Sequence, residues 1–371
     1  MKINLCMIVK DEGHVIKRCL DSVRPLIDEV LIVDTGSTDN TIEIINNYIK
    51  ENNIPGRVIS EAWRNFEYNR TFALEEAQKG DCDYSLMIDA DEILTFSPGF
   101  EPEKFKSSLN RDFYNIPTKT SGSFYFRPTL TSNKKNFTYL GVVHEYLEVP
   151  PQCSRGDVNH STEFYNTPIQ DSARNKDSEK YKKDAKLLEN ALNTPLSDFL
   201  RSRYTFYAAQ SNRDAENPGR ALDFYLKRAE MGFWDEERYL SYLNAGKLME
   251  QLNYPEEYII NTFLKAQERN PNRAEALHYL VRYCRTHDRN QLAYMLGKEG
   301  LKKNFDKDFL FAETWIYEYG MEDEFSVASY WAKQYKESSE SCLRLLKNKA
   351  LPDYQLQRVQ DNLKFALQKL S

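Results

Sequence analysis

A chain of 371 residues is too long for one ordinary core and fits two domains. Its 50 basic and 56 acidic residues leave a net charge of -6, which gives no electrostatic footprint for nucleic acid. No apolar run is long enough to span a bilayer, and Lys10-Asp11-Glu12 interrupts the N-terminal run too early for a signal peptide, so no membrane span and a cytoplasmic location are expected. The cysteines Cys6, Cys19, Cys82, Cys153, Cys284 and Cys342 have no metal-ligand spacing and read as reduced, structural thiols.

The first 90 or so residues alternate strand and helix. Residues 3–9 read as a buried strand, and Ile16, Cys19, Leu20 and Val23 recur at helical spacing behind it. A second strand, 30–34, runs into Thr35-Gly36-Ser37-Thr38-Asp39 and a helix with Ile42, Ile45, Tyr48 and Ile49, for which Thr38 and Asp39 are cap candidates. A third strand lies near 57–60. The next helix carries Phe72, Ala73, Leu74 and Ala77, and with Asn69 as its cap Arg70 falls in the first turn, where the dipole disfavours a cation unless an anion is near. Strand 84–88 ends in Asp89-Ala90-Asp91-Glu92. Such alternation argues for a mainly parallel sheet whose ligand site lies beyond the carboxyl ends of the strands, where Glu12, Asp34 and Asp89 fall.

In an extended chain the two carboxylates flanking Ala90 point the same way. They suit Mg²⁺ or Mn²⁺, whose open positions take the phosphates of a nucleotide. An Asp-x-Asp spacing is also a common solvated strand end in so acidic a chain, and its place in the strand order is what gives it weight. Beyond it, segments near 114–117, 123–128 and 137–143 read as antiparallel strands, the last running into His144 and Glu145.

Four segments, taken in order, are specific: Met7 to Val23, Asp28 to Thr41, the set Trp63, Phe66, Arg70, Ala73 and Leu74, and Leu86 to Leu94. Together they resemble the donor-binding half of family 2 glycosyltransferases, in the subset similar to lipopolysaccharide-core glucosyltransferases and to enzymes with helical repeats behind the catalytic domain. The resemblance covers roughly residues 1 to 150. It implies an α/β GT-A domain, Rossmann-like, that moves a sugar from a nucleotide-diphosphate donor, UDP-sugar first, with inversion and Mn²⁺ or Mg²⁺. On this pattern Val9, Glu12, Asp34, Thr35, Arg70, Asp89 and Ala90 line the donor, and Asp91 and Asp89 hold the metal. The plain alternative for Asp34 is that it satisfies turn amides, and Trp63 and Phe66 read as pocket wall.

Inverting transfer needs a base for the acceptor proton, and a carboxylate or His is the usual provider. Gly141, His144 and Glu145 resemble the acceptor-side motif of the same subset, which makes Glu145 the candidate base. His144 stands as a second candidate, as its orienting neighbour, as a contact for metal or diphosphate, or as a half-buried strand histidine. His160, in a polar loop, is a candidate third metal ligand, since imidazole suits Mn²⁺ better than Mg²⁺; an exposed loop histidine is the alternative. At Arg127-Pro128-Thr129 the chain departs from the Arg-Leu-Phe that related enzymes often carry.

From about Asp177 strand signal disappears. Turn clusters at Asn217, Asn253 and Asp288 are 36 and 35 residues apart, close to the tetratricopeptide period, with Ala209, Ala221 and Tyr225, then Phe263, Ala266 and Pro271, at packing positions. The expectation is a GT-A domain over 1–170 and an all-α domain of two to four tetratricopeptide-like hairpins over 171–371, favouring a polypeptide or glycan acceptor. Two other classes remain: a nucleotidyltransferase, whose first loop is normally richer in glycine than Lys10-Asp11-Glu12-Gly13, and a catalytically weak, sugar-nucleotide-binding helical-repeat adaptor, against which Asp89, Asp91, Glu92 and Glu145 argue.

Overall fold

The computed structural model describes residues 1–120, 124–306 and 309–371, the side chain of Phe124 excepted. Ser123, expected at the start of a strand, lies outside the described residues. The chain divides into two compact units, Met1–Leu187 and Leu188–Ser371.

The first unit opens with β1 (Ile3–Val9), α1 (Ile16–Val23), β2 (Glu29–Asp34), α2 (Thr41–Glu51), β3 (Gly56–Ser60), α3 (Phe66–Gln78) and β4 (Tyr84–Met87). β3, β2, β1 and β4 pair in parallel in that order; β1, β2 and β4 are apolar and covered on both faces, and β3 is the part-exposed edge. The chain then adds β5 (Glu92–Phe96), α4 (Pro102–Ser108), β6 (Phe113–Lys119), β7 (Phe124–Ser132), the short hairpin strands β8 (Thr138–Leu140) and β9 (Tyr146–Glu148), then β10 (Arg155–Asp157) and β11 (Phe164–Pro168). β7 joins β4 antiparallel, and the sheet continues through β6 and β11 to β5, with β10 on β6. One apolar face packs Ile3, Leu5, Met7, Ile32, Leu86, Ile116 and Leu130 against α1 and α2; the other packs Cys6, Leu31, Val33 and Met87 against α3.

Two local expectations change. Asn65, not Asn69, caps α3: its Oδ1 accepts from the Tyr68 amide at 2.8 Å, while Asn69 is a buried helix residue bonded to Arg64 and Ala62. Arg70 therefore lies in the second turn, past the reach of the end dipole. The strand expected to run to Val143 stops at Leu140. Gly141 turns the chain at φ +118°, where a Cβ would stand 3.1 Å from the Glu145 Cα, and His144 follows at φ +53°. Only glycine tolerates both the angle and the approach, so Glu145 sits in a tight turn between β8 and β9.

α5 (Lys180–Leu192) carries the division between the units. The second unit is helical: α6 (Asp198–Asp214) with α7 (Pro218–Glu230), α8 (Asp235–Gln251) with α9 (Glu256–Arg269), α10 (Glu275–Thr286) with α11 (Asn290–Gly300), α12 (Met321–Trp331) with α13 (Tyr335–Lys347), and α14 (Asp353–Gln368). The expected turns at Asn217, Asn253 and Asp288 are the hairpin bends, closed by left-handed Glu216, Asn253 and Asp288, with Lys333 doing the same in the fourth. Ala209, Ala221, Tyr225, Phe263 and Ala266 are wholly buried. The fold is thus a GT-A α/β domain followed by tetratricopeptide-like helical hairpins.

Candidate active site

A cleft of about 680 Å³ opens beyond the carboxyl ends of β1, β2 and β4. It gathers Val9, Glu12, Thr35, Arg70, Asp89, Ala90, Asp91, His144 and Glu145 on one lining, although they are spread over 136 positions of sequence. Two expected members stand apart. Asp34 keeps its carboxylate on the amides of Gly36 and Ser37, at 3.1 and 3.2 Å, which is the turn use of an Asp at a strand end. His160 lies off the cleft: its carbonyl accepts from Ser97 Oγ at 3.0 Å. Ser97 follows the last residue of β5, five positions from Glu92 and roughly 16 Å away at strand rise, so His160 stands at the far end of that strand from Asp91.

β4 ends at Met87, and the chain turns instead of running on extended. The Glu92 amide donates to the Asp89 carbonyl and the Glu92 carboxylate takes the Asp89 amide, both at 3.0 Å. Asp89 and Asp91 consequently have different partners. Asp89 Oδ1 takes Nη2 of the buried Arg70 at 2.6 Å, and Arg70 Nε reaches Glu145 Oε1 at the same distance. The anion that Arg70 needs is supplied by these two carboxylates. Burial alone would push the Asp89 carboxyl up, but the Arg70 and Arg127 guanidinia overcome it and hold it below the usual range. Behind it Glu92 is buried and paired with Arg127 at 2.7 Å; there burial wins and the Glu92 carboxyl is pushed up.

Asp91 faces a segment that sequence reading missed. After β11 the chain returns across the cleft mouth. The Ser172 amide and Asn175 Nδ2 donate to Asp91 Oδ2 at 3.2 and 3.1 Å, the Ile169 amide donates to the Asp91 carbonyl, and the Ala173 amide reaches Glu12 Oε2 at 3.4 Å. Arg18 pairs with Asp171 at 2.7 Å and His14 meets its carbonyl at 2.8 Å, fastening the strap to α1. Arg174, paired with Asp184, lies 4.7 Å over the Phe66 ring. Trp63 meets the same ring edge-on at 4.8 Å, so both aromatics form wall, as expected. Burial pushes the Glu12 carboxyl up to about 7, opposed by the Ala173 amide and reinforced by Asp91, Asp89 and Asp39. The one sequence signal for the strap was a polar, aperiodic run, 170–177, directly after a strand.

Among the described residues no three His, Cys, Asp or Glu side chains converge as a complete cation cage. Asp89 and Asp91 still offer what Mg²⁺ or Mn²⁺ usually takes from a protein, one or two carboxylates, with the rest supplied by substrate phosphates and water.

Residues 5–102 match the family model Glycosyl transferase family 2. The match lies wholly within the first unit, the α/β domain, and the helical hairpins follow it in the sequence. An uncharacterized glycosyltransferase of Rickettsia felis is 34% identical over 113 residues, 30% of this chain and 37% of that protein. The lipopolysaccharide core biosynthesis glycosyltransferase LpsC of Rhizobium meliloti is 33% identical over 94 residues, 25% of this chain and 33% of its own. The chain thus spans about a third of the length of either relative. Among solved structures, S. aureus TarS 1-349 in complex with UDP-GlcNAc aligns with 90% of this chain and 92% of its own, at 13% identity and a TM-score of 0.36. No helix among the described residues is long and apolar enough to cross a membrane.

Proposed function

We propose that the protein is a glycosyltransferase that moves a sugar from a nucleoside-diphosphate donor, a UDP-sugar first, to a hydroxyl or thiol of a polypeptide or glycan, with inversion. The observation that carries the reading is the bond of one buried guanidinium, Arg70, to both the Asp89 and the Glu145 carboxylates in a cleft bordered by Val9 and Thr35. Val9, Thr35 and Glu12 take the nucleoside at the ends of β1 and β2. Asp91 and Asp89 would hold a divalent cation, Mn²⁺ or Mg²⁺, which when bound offsets charge on the diphosphate. Glu145 takes the proton of the acceptor as its oxygen or sulfur bonds to the anomeric carbon, and the bond to the β-phosphate oxygen breaks with its electron pair leaving on the nucleoside diphosphate. Arg70 holds Glu145 in place until the acceptor arrives, and Arg174 adds positive charge on the leaving-group side.

A panel of nucleotide sugars with Mn²⁺ or Mg²⁺, read as released nucleoside diphosphate, tests this. At least one donor should be hydrolysed above the rate of a heat-denatured control, and Asp91→Ala should abolish cation-dependent UDP binding in calorimetry. No release from any donor, or unchanged cation-dependent binding in Asp91→Ala, would refute the corresponding half of the reading.

A further inference from the structure

Glu92 and Arg127 do not line the cleft, yet they sit directly behind the aspartate that does. Glu92 closes the 89–92 turn in both directions, through its own amide and through its carboxylate. That carboxylate is 3% exposed and is met at both oxygens by Arg127 Nη2, at 2.7 and 2.8 Å. Arg127 comes from β7, three positions before Leu130, which pairs with Leu86 of β4. Among the described residues the hydrogen bonds of its guanidinium go to Glu92 alone, and its buried Nε has no partner. A buried carboxylate without a counter-charge is costly, so the Arg127 guanidinium is what offsets the burial of Glu92 where its carboxyl accepts the Asp89 amide. The contacts then run without a break from the sheet to the candidate base: Arg127 to Glu92, Glu92 to the Asp89 amide, the Asp89 carboxylate to Arg70, and Arg70 to Glu145.

Resting on the transfer reading above, we propose that Arg127 and Glu92 are positioning residues for it: they fix the Asp89 turn, and through Asp89 and Arg70 they set where the Glu145 carboxylate stands. Neither touches substrate. The nucleoside contacts at Val9, Glu12 and Thr35 belong to other elements and do not depend on the pair. A displacement of the order of an ångström at a reacting group costs on the order of 10²-fold in rate.

The test uses the full chain with the donor found active in the panel, comparing Arg127→Met, Arg127→Lys and Glu92→Gln. Arg127→Met should lower kcat by roughly 10- to 10²-fold while UDP affinity measured without divalent cation stays within about twofold, and Arg127→Lys, which restores a charge for Glu92, should recover most of the loss. Hydrogen exchange of the Asp89 amide should speed up in parallel. If Arg127→Met does not fold, Glu92→Gln, which keeps an acceptor for that amide but loses the charge that holds Arg127, is read by the same two measurements. A folded variant with kcat near wild type and unchanged Asp89 exchange overturns the proposal; a lowered melting temperature alone would mean a merely structural pair. Should the wild type release no nucleoside diphosphate from any donor, the transfer reading fails, while Asp89 exchange still decides whether the clamp exists.

Discussion

His278 should make the helical unit sensitive to acid. It lies in α10, 4% exposed, edge-on to Trp315 at 4.9 Å and to Tyr279 at 5.3 Å, and its Nδ1 has no partner among the described residues. Burial first, and then the charges of Arg282, Lys247 and Arg285, push its imidazole down to about 3 against a bond to the Gly320 carbonyl. In the unfolded chain the ring titrates near 6.5, so below that pH the unfolded state binds a proton that the native state refuses until about 3. Stability is therefore intact above pH 6.5 and is lost as pH falls from there towards 3. Linkage over that interval gives a loss of about 2 kcal/mol between pH 7 and 5, and about 3 kcal/mol by pH 4, a large share of an ordinary domain's stability. His278→Phe keeps a ring against Trp315 and cannot titrate. Urea unfolding of both proteins at pH 7, 6, 5 and 4, followed by circular dichroism, isolates the histidine, because every other titrating group is common to the two. The wild type should lose about 2 kcal/mol more than the variant between pH 7 and 5; parallel pH profiles would mean that His278 does not carry the acid sensitivity.

Two further outcomes follow from the packing and the cleft. Glu145→Gln keeps shape but cannot accept a proton at neutral pH, so transfer should fall by roughly 10²- to 10⁴-fold with UDP affinity intact; near-normal transfer would pass the base role to His144, and His144→Ala in the same assay would show it. Gly246→Ala in α8 should lower the melting temperature although alanine is the better helix former by about 1 kcal/mol, because its Cβ would come within 2.7 Å of the wholly buried Phe263 ring and overpacking costs about 1–3 kcal/mol. A higher melting temperature would show that Phe263 can yield.

What was readable in the chain had local causes. The parallel half of the sheet announced itself because strands covered on both faces are continuously apolar, and the hairpin bends did so because Asn253 and Asp288 are residue types that accept a left-handed backbone. The site residues on β1, β2 and β4 were legible for the same reason: they mark strand ends. Non-local geometry was not. Nothing near Arg70 in sequence says that it lies between Asp89 and Glu145, respectively 19 and 75 positions away. Nor does the neighbourhood of His160 say that β5 runs antiparallel to β11 and so carries it away from Asp91. The change of composition near residue 170 marked where strands end, whereas the cleft continues to Asp184.

The position of residues 172–175 in the chain bears on modularity. Ser172, Ala173, Asn175 and Arg174 bind or face the groups of the cleft although they stand after its last strand, in chain that composition would assign to the connector. A seam for exchanging helical arrays, whether cut by recombination or by a protein engineer, therefore belongs beyond Leu187. Joined at residue 170, a chimera would keep every sheet residue of the donor site and lose three hydrogen bonds to the carboxylates of Asp91 and Glu12.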